Sequence, residues 1–243
     1  MRKTFLRFCC LAILISSLSG CGIIDYFYLP PGEDTAQELF ENGNDAMAEK
    51  DYVNAVEYYT KLKDLYPSSP YTLEAEISLG DAYFLDEEYL MAVEAYKDFE
   101  DMHPRHEAIP YVLNQIALSY MRAYRSIDRP TTGLVEAVGY LERVQDSYPD
   151  TEYAVRAGEL IHLCRTQIAQ HELYLAEFYE RSGKYGAAWR RYVYVTENFP
   201  DLEAEHDYAL EKSKSAYILH LESMSEEERR NLEGSWRDYF DWL

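Results

Sequence analysis

Few residues in this chain stand where they could do chemistry, and Cys21 is the one whose neighbours declare what that chemistry is. It closes the string Leu18-Ser19-Gly20-Cys21, which follows Arg2, Lys3 and Arg7 and an apolar run from Phe8 to Ile15. Basic residues, an apolar stretch and then small residues form the pattern of a bacterial export signal. A small pair before a single cysteine matches the lipobox, where a signal peptidase cuts and the thiol of the new first residue is acylated. The expectation is a leader over residues 1–20, cleavage before Cys21, and a lipid anchor on its sulfur. The competing reading, a permanent membrane helix over residues 5–19, falls short of the roughly 20 apolar residues a span needs.

The other reactive residue types are scattered. Cys9 and Cys10 leave with the leader, so Cys164 is alone in the mature chain and cannot make an internal disulfide. It sits in the apolar-rich run Leu160 to Cys164, where a buried, inert thiol is the expectation. The histidines lie at 103, 106, 162, 171, 206 and 220, and only His103 and His106 are close, on either side of the turn residue Pro104. A zinc site wants three or four convergent ligands, so no metal is expected. There is no glycine-rich phosphate loop, no nucleophile elbow and no cysteine pair in the mature chain. Carboxylates are plentiful, but on solvated helices they make no catalytic pair. These residues describe a binding protein without a cofactor, not an enzyme.

Charge narrows the partners. The chain carries 44 acidic and 23 basic residues for a formal net charge of -21. Loss of residues 1–20 removes three positive charges and no negative ones, which takes the charge to -24 over the 223 residues that remain. Such a surface repels nucleic acid and anionic lipid.

What positions these residues is a repeat. Gly43, Tyr52, Ala55, Tyr59 and Pro67 are matched by Gly80, Tyr89, Ala92, Tyr96 and Pro104, every one displaced by 37. A further displacement of 96 gives Tyr185, Ala188, Tyr192 and Pro200, with Ala176 in the glycine's place. Another copy keeps Ala137 and Pro149 but has Leu134 and Leu141 where the others have tyrosine. The spacing from small residue to small residue to proline is that of the tetratricopeptide repeat, a pair of antiparallel helices whose close crossing needs Gly or Ala. The expected fold is therefore all-α, a right-handed superhelical solenoid of such pairs. Most of the 24 tyrosines are then wedges between helices.

Local signals agree. Thr35 with Glu38 predicts a capping box at the first helix, and Ser69-Pro70 predicts the start of the third, with proline at its first position. The turns inside the repeats read Lys50-Asp51-Tyr52, Glu87-Glu88-Tyr89 and Gly183-Lys184-Tyr185. An insertion around Ser126-Ile127-Asp128-Arg129-Pro130-Thr131-Thr132-Gly133 predicts a loop, because proline and glycine both stop helices. From Glu152 to Ile168 the small and apolar residues Ala154, Ala157, Ile161, Cys164 and Ile168 predict an added amphipathic helix before the next repeat. Residues 203–223 predict a capping helix over the last repeat. The tail from Ser225 ends Trp236-Arg237-Asp238-Tyr239-Phe240-Asp241-Trp242-Leu243, either a docking peptide or a segment folded back onto the solenoid.

The expected organisation is a leader over 1–20, a lipidated tether over 21–33, and repeats 1 and 2 over 34–105. Repeat 3 with its loop insertion covers 106–150. The added helix, repeat 4 and capping helices cover 151–224, and an acidic aromatic tail covers 225–243. In such a solenoid the first helix of each pair lines the concave groove. Its inward positions are Phe40, Asn44 and Met47, then Ile77, Asp81 and Phe84, then Asn114, Leu118, Met121 and Arg122. Methionine and phenylalanine beside asparagine and arginine suit an extended peptide with apolar side chains, since Met adapts its shape and Asn bonds peptide groups. The plainer alternative is that these side chains pack between repeats.

Taken together, the chain from residue 18 to about 220 resembles the BamD (ComL-type) family of outer-membrane lipoproteins. The resemblance is carried by the lipobox at Cys21, the first-repeat string from Leu39-Phe40 through Asp51-Tyr52 and Ala55 to Leu65-Tyr66-Pro67, and Ser68-Ser69-Pro70-Tyr71. It extends to Asp128-Arg129-Pro130-Thr131-Thr132 and to Ser147-Tyr148-Pro149-Asp150-Thr151-Glu152-Tyr153-Ala154. The tail after Ser225 departs from the family pattern. What the resemblance implies is a scaffold of about five repeats, lipid-anchored in the inner leaflet of the outer membrane and facing the periplasm. Gly22, where an aspartate would hold a lipoprotein in the inner membrane, agrees with that address. The resemblance further implies docking of the carboxy-terminal repeats on a periplasmic domain of BamA, company with other lipoproteins of the assembly machinery, and a groove for the last strand of unfolded β-barrel proteins. Arg191 matches a family arginine on the BamA-facing side, and Arg190 beside it could serve instead. The rival reading is another tetratricopeptide lipoprotein, one serving pilus secretin assembly or cell-wall coordination.

Overall fold

In a computed structural model, residues 35–224 and 228 are described, and all secondary structure among them is helical. Cys21, the leader, the tether and the aromatic tail lie outside the described residues. The helices are α1 Ala36–Glu49, α2 Tyr52–Leu65, α3 Thr72–Leu85, α4 Tyr89–Met102 and α5 Ile109–Ala123. They continue as α6 Thr132–Ser147, α7 Glu152–Arg181, α8 Tyr185–Asn198 and α9 Glu203–Ser223. Each helix packs chiefly on the one before it and the one after, which is the nearest-neighbour order of a helical solenoid.

The repeat in the sequence is a repeat in the backbone. Lys50 and Glu87 adopt left-handed φ values of 62° and 61°, and Gly183, at the corresponding position, has 72°. The next amide in each case reaches back over the helix end: Asp51 to the Ala46 carbonyl at 2.8 Å, Glu88 to Tyr83 at 3.0 Å and Lys184 to Tyr179 at 2.9 Å. These bonds satisfy carbonyls that the end of a helix leaves without partners, as in the Schellman motif. The same turn thus reverses the chain between α1 and α2, α3 and α4, and α7 and α8.

The small residues of the repeat exist for the tyrosines. A Cβ placed on Gly43 would lie 2.5 Å from Cε1 of Tyr59, and Gly80 is as tightly closed by Tyr96. Tyr59, Tyr96 and Tyr192 are essentially removed from solvent, as are Leu134 and Leu141, which take the tyrosine positions in repeat 3. Burying a residue such as Phe99 contributes about 1.5–3 kcal/mol.

At α1 the capping box forms as the sequence predicts, with the Thr35 amide bonded to Glu38 at 2.8 Å and the Glu38 amide to the Thr35 hydroxyl at 3.2 Å. The start of α3 differs. Ser69 and Pro70 belong to the turn, and the helix begins at Thr72, whose hydroxyl donates to the Tyr66 carbonyl at 2.6 Å. That bond ties the helix start to the end of α2, two residues beyond the proline.

The added helix also differs from expectation. It does not stop before repeat 4 but runs on as the first helix of that repeat, so α7 is one helix of 30 residues. Of the predicted stripe, Ala154, Ala157, Cys164 and Ile168 are buried along it and Ile161 is half-buried. No proline interrupts the run, and the lone Gly158 costs only about 1 kcal/mol in a helix of this length. The capping helix over 203–223 forms as α9, burying Ala209, Ser213 and Ala216.

Candidate peptide groove and docking face

The structure divides the expected groove residues into two groups. Phe40 is only 9% exposed and stacks on Tyr71 with ring centroids 5.5 Å apart, and Asn114 is 7% exposed within the α5 core face. Both side chains are therefore buried in the packing of the helices. Tyr59 of α2 and Tyr71, just before α3, close on Phe40.

The remaining positions keep surface and acquire partners that orient them. Asn44 is exposed and accepts from the buried Tyr59 hydroxyl at 2.7 Å. Asp81, half-buried one repeat later, accepts from Tyr96 at 2.6 Å, and the Tyr111 hydroxyl donates to the same oxygen. Burial and the Asp81 charge both push the Tyr96 and Tyr111 phenols up, so at neutral pH these hydroxyls are fixed donors. Met47, Ile77, Phe84, Leu118 and Met121 are half-buried, each with part of its apolar surface free. Phe84 meets Tyr89 edge-on at 5.5 Å. Arg122 is exposed at the end of α5. On α1, α3 and α5 these positions leave apolar surface beside hydrogen-bonding groups, and Tyr59 of α2 and Tyr96 of α4 hold Asn44 and Asp81.

The two arginines of α8 have different situations. Arg191 Nη1 bonds Glu172 of α7 at 2.5 Å, a charge-assisted contact between neighbouring helices. Arg190 is exposed. Together with Tyr179, Ala187 and Tyr194 the pair lines a cleft of about 340 Å³. Sequence reasoning missed the two tyrosines. Their signal was present in the spacing of Arg190 and Tyr194, four residues apart on one helix face.

Nothing in this arrangement resembles reacting groups held for catalysis. Cys164 is buried and its thiol is pushed up to about 11 by that burial, which leaves it protonated and inert. His103 bonds Glu76 at 2.9 Å between the end of α4 and α3, a tie within repeat 2, and His171 of α7 bonds the Ile127 carbonyl of the inserted loop at 2.5 Å. Among the described residues no cluster of three His, Cys, Asp or Glu side chains could hold a metal ion. Among them also, no helix is long and apolar enough to cross a membrane.

Tyrosine-wedged helix pairs packed each on the next define a helical-repeat solenoid. The family model described as YfiO, outer membrane lipoprotein, matches residues 32–232, and the chain belongs to that family. It is 24% identical over 225 residues to the outer membrane protein assembly factor BamD of Pasteurella multocida, covering 88% of this chain and 84% of that one. It is 25% identical over 222 residues to the BamD of Caulobacter vibrioides, covering 90% of this chain and 72% of that one. The BamD of Vibrio cholerae is 24% identical over 190 residues, 74% of this chain and 78% of its own.

Proposed function

We propose that this chain is a non-enzymatic adaptor lipoprotein of outer-membrane β-barrel assembly. It is anchored through Cys21 in the inner leaflet of the outer membrane and faces the periplasm. The strip formed by Asn44, Met47, Ile77, Asp81, Phe84, Leu118, Met121 and Arg122 receives the carboxy-terminal strand of unfolded barrel proteins. The cleft at Arg190 and Arg191 docks on a periplasmic domain of BamA, with other assembly lipoproteins alongside. The observation that carries this reading is the strip itself: half-buried Met and Phe side chains beside Asn44 and Asp81, which buried tyrosines hold in place. An extended strand gains affinity from apolar pockets at alternate side chains and from hydrogen bonds to its backbone. The step is recognition and handover, and the anchor raises local concentration beside the insertase.

The test is affinity purification of the natively lipidated protein from detergent-extracted membranes, with mass spectrometry of what stays bound. Near-stoichiometric recovery of a large barrel protein bearing repeated periplasmic domains supports the reading. Recovery of a secretin or of cell-wall enzymes without that barrel transfers the function to the rival. Retention of full function and membrane fractionation by Cys21→Ala would refute the anchor.

A further inference from the structure

The strip changes sign from one end to the other. Met47, Phe84 and Met121 hold one register in three successive repeats, each displaced by 37. The residue after them is Ala48 on α1, Leu85 on α3 and Arg122 on α5, all three exposed. A cation thus enters this register at the third repeat. The displacement of 96 carries Leu85 to Arg181 in repeat 4, whose guanidinium meets Glu177 one turn back at 3.5 Å. On α5 the residue one turn back is Leu118, and Arg122 forms no salt bridge among the described residues. Arg125, exposed just past the end of the same helix, forms none either.

The earlier repeats carry the opposite charge. Asp81 on α3 accepts from Tyr96 and Tyr111, and Glu74 is exposed on the same helix. Burial first, and then the charges of Asp81 and Glu74, push the Tyr59 phenol up, so both carboxylates act on the group that Asn44 accepts from. A cation in the last turn of a helix is favourable in itself, because a helix end carries about half a negative charge. Arg122 and Arg125 together exceed that half charge, so a net positive potential remains at the α5 end of the strip.

We propose that Arg122 and Arg125 take the terminal carboxylate of the bound strand, which fixes its polarity: the last residue lies over α5 and the earlier residues run toward α3 and α1. The inference rests on the client reading of the strip and adds to it a direction and a requirement for a free chain end. A guanidinium offers a carboxylate paired N–H donors, and Leu118 and Met121 supply half-buried apolar surface for the last side chain. In the reverse polarity the carboxylate meets Asp81 and Glu74, a juxtaposition of like charges that works against the wrong register. An internal strand of the same sequence has no terminal charge and binds more weakly, so the strip separates a chain end from a strand within a chain.

The experiment uses the full chain in detergent and two short peptides of alternating valine and serine that end in phenylalanine, one with a free terminal carboxylate and one with a terminal amide. Fluorescence anisotropy should show the acid bound about threefold to tenfold more tightly than the amide at low salt. The difference should shrink in about 1 M salt, where the screening length is roughly 3 Å. An Arg122→Gln, Arg125→Gln double variant should lose the preference for the acid, and since both residues are exposed an unchanged melting curve will show that the fold is intact. p-Benzoylphenylalanine in place of the peptide's last residue should form photo-adducts within α5, and at its first residue within α1 or α3. Equal affinity for acid and amide, a preference that survives the double variant, or the reverse pattern of adducts would each overturn the polarity and leave the client reading standing. Binding of neither peptide would refute the client reading and the polarity together.

Discussion

The ring of Tyr96 lies directly against the α-carbon of Gly80, in the space a side chain would occupy on any other residue. Gly80→Ala ordinarily strengthens a helix by up to about 1 kcal/mol. Here the added carbon must displace a fully buried ring, which costs about 1–3 kcal/mol. Urea unfolding should show Gly80→Ala less stable than the parent, and Gly139→Ala, where nothing lies within 4 Å of the added carbon, more stable. The opposite signs for one substitution in two helices are the test.

Asp81 accepts from Tyr96 and Tyr111 at once. Asp81→Ala leaves buried hydroxyls without an acceptor, and the expected loss is about 1–3 kcal/mol. Asp81→Asn keeps a carbonyl oxygen for them and should lose less. Denaturant midpoints of the two variants, measured together, separate the loss of an acceptor from the loss of a charge.

Alkali should unfold the protein through its buried phenols. Burial raises the Tyr59 pKa from 10.0 to about 12, and Tyr96 and Tyr192 are pushed up as well. A folded-state pKa above the unfolded value means stability is fully present below pH 10 and is lost as pH climbs through 10 toward 12. Urea midpoints across that window should fall, and Tyr59→Phe should make the fall shallower.

Arg190 and Arg191 are separable. Arg191 holds Glu172 across two helices, so Arg191→Ala should lower the melting temperature as well as weaken docking on the BamA domain. Arg190→Glu should leave the melting temperature within error and weaken docking about tenfold or more. Calorimetric titration with the isolated periplasmic domain, beside thermal melts, reads both.

In the groove, Phe84→Ala and Met121→Glu should each weaken binding of an apolar, aromatic-ended peptide by about tenfold or more. Met121→Glu acts by charge in an apolar patch, so its effect should appear in peptide affinity measured by fluorescence anisotropy. Asn114→Ala, in the packed face of α5, should move stability and leave peptide affinity unchanged in the folded fraction.

The sequence by itself determined what is local and repeated. Displacements of 37 and 96 locate the left-handed turn residues Lys50, Glu87 and Gly183, the tyrosines that close on Gly43 and Gly80, and the stripe of α7. Helix faces and turns are set by residues within a few positions of one another, so a single chain displays them. Tertiary structure decided what depends on the neighbouring layer. Phe40 and Asn114 share a helix face with groove positions, yet their burial follows from where the next pair lies. The continuity of α7, the tie from His171 to Ile127 and the grip of Arg191 on Glu172 likewise join residues that no local pattern relates. Periodicity fixes which side chains point together, and only packing fixes what covers them.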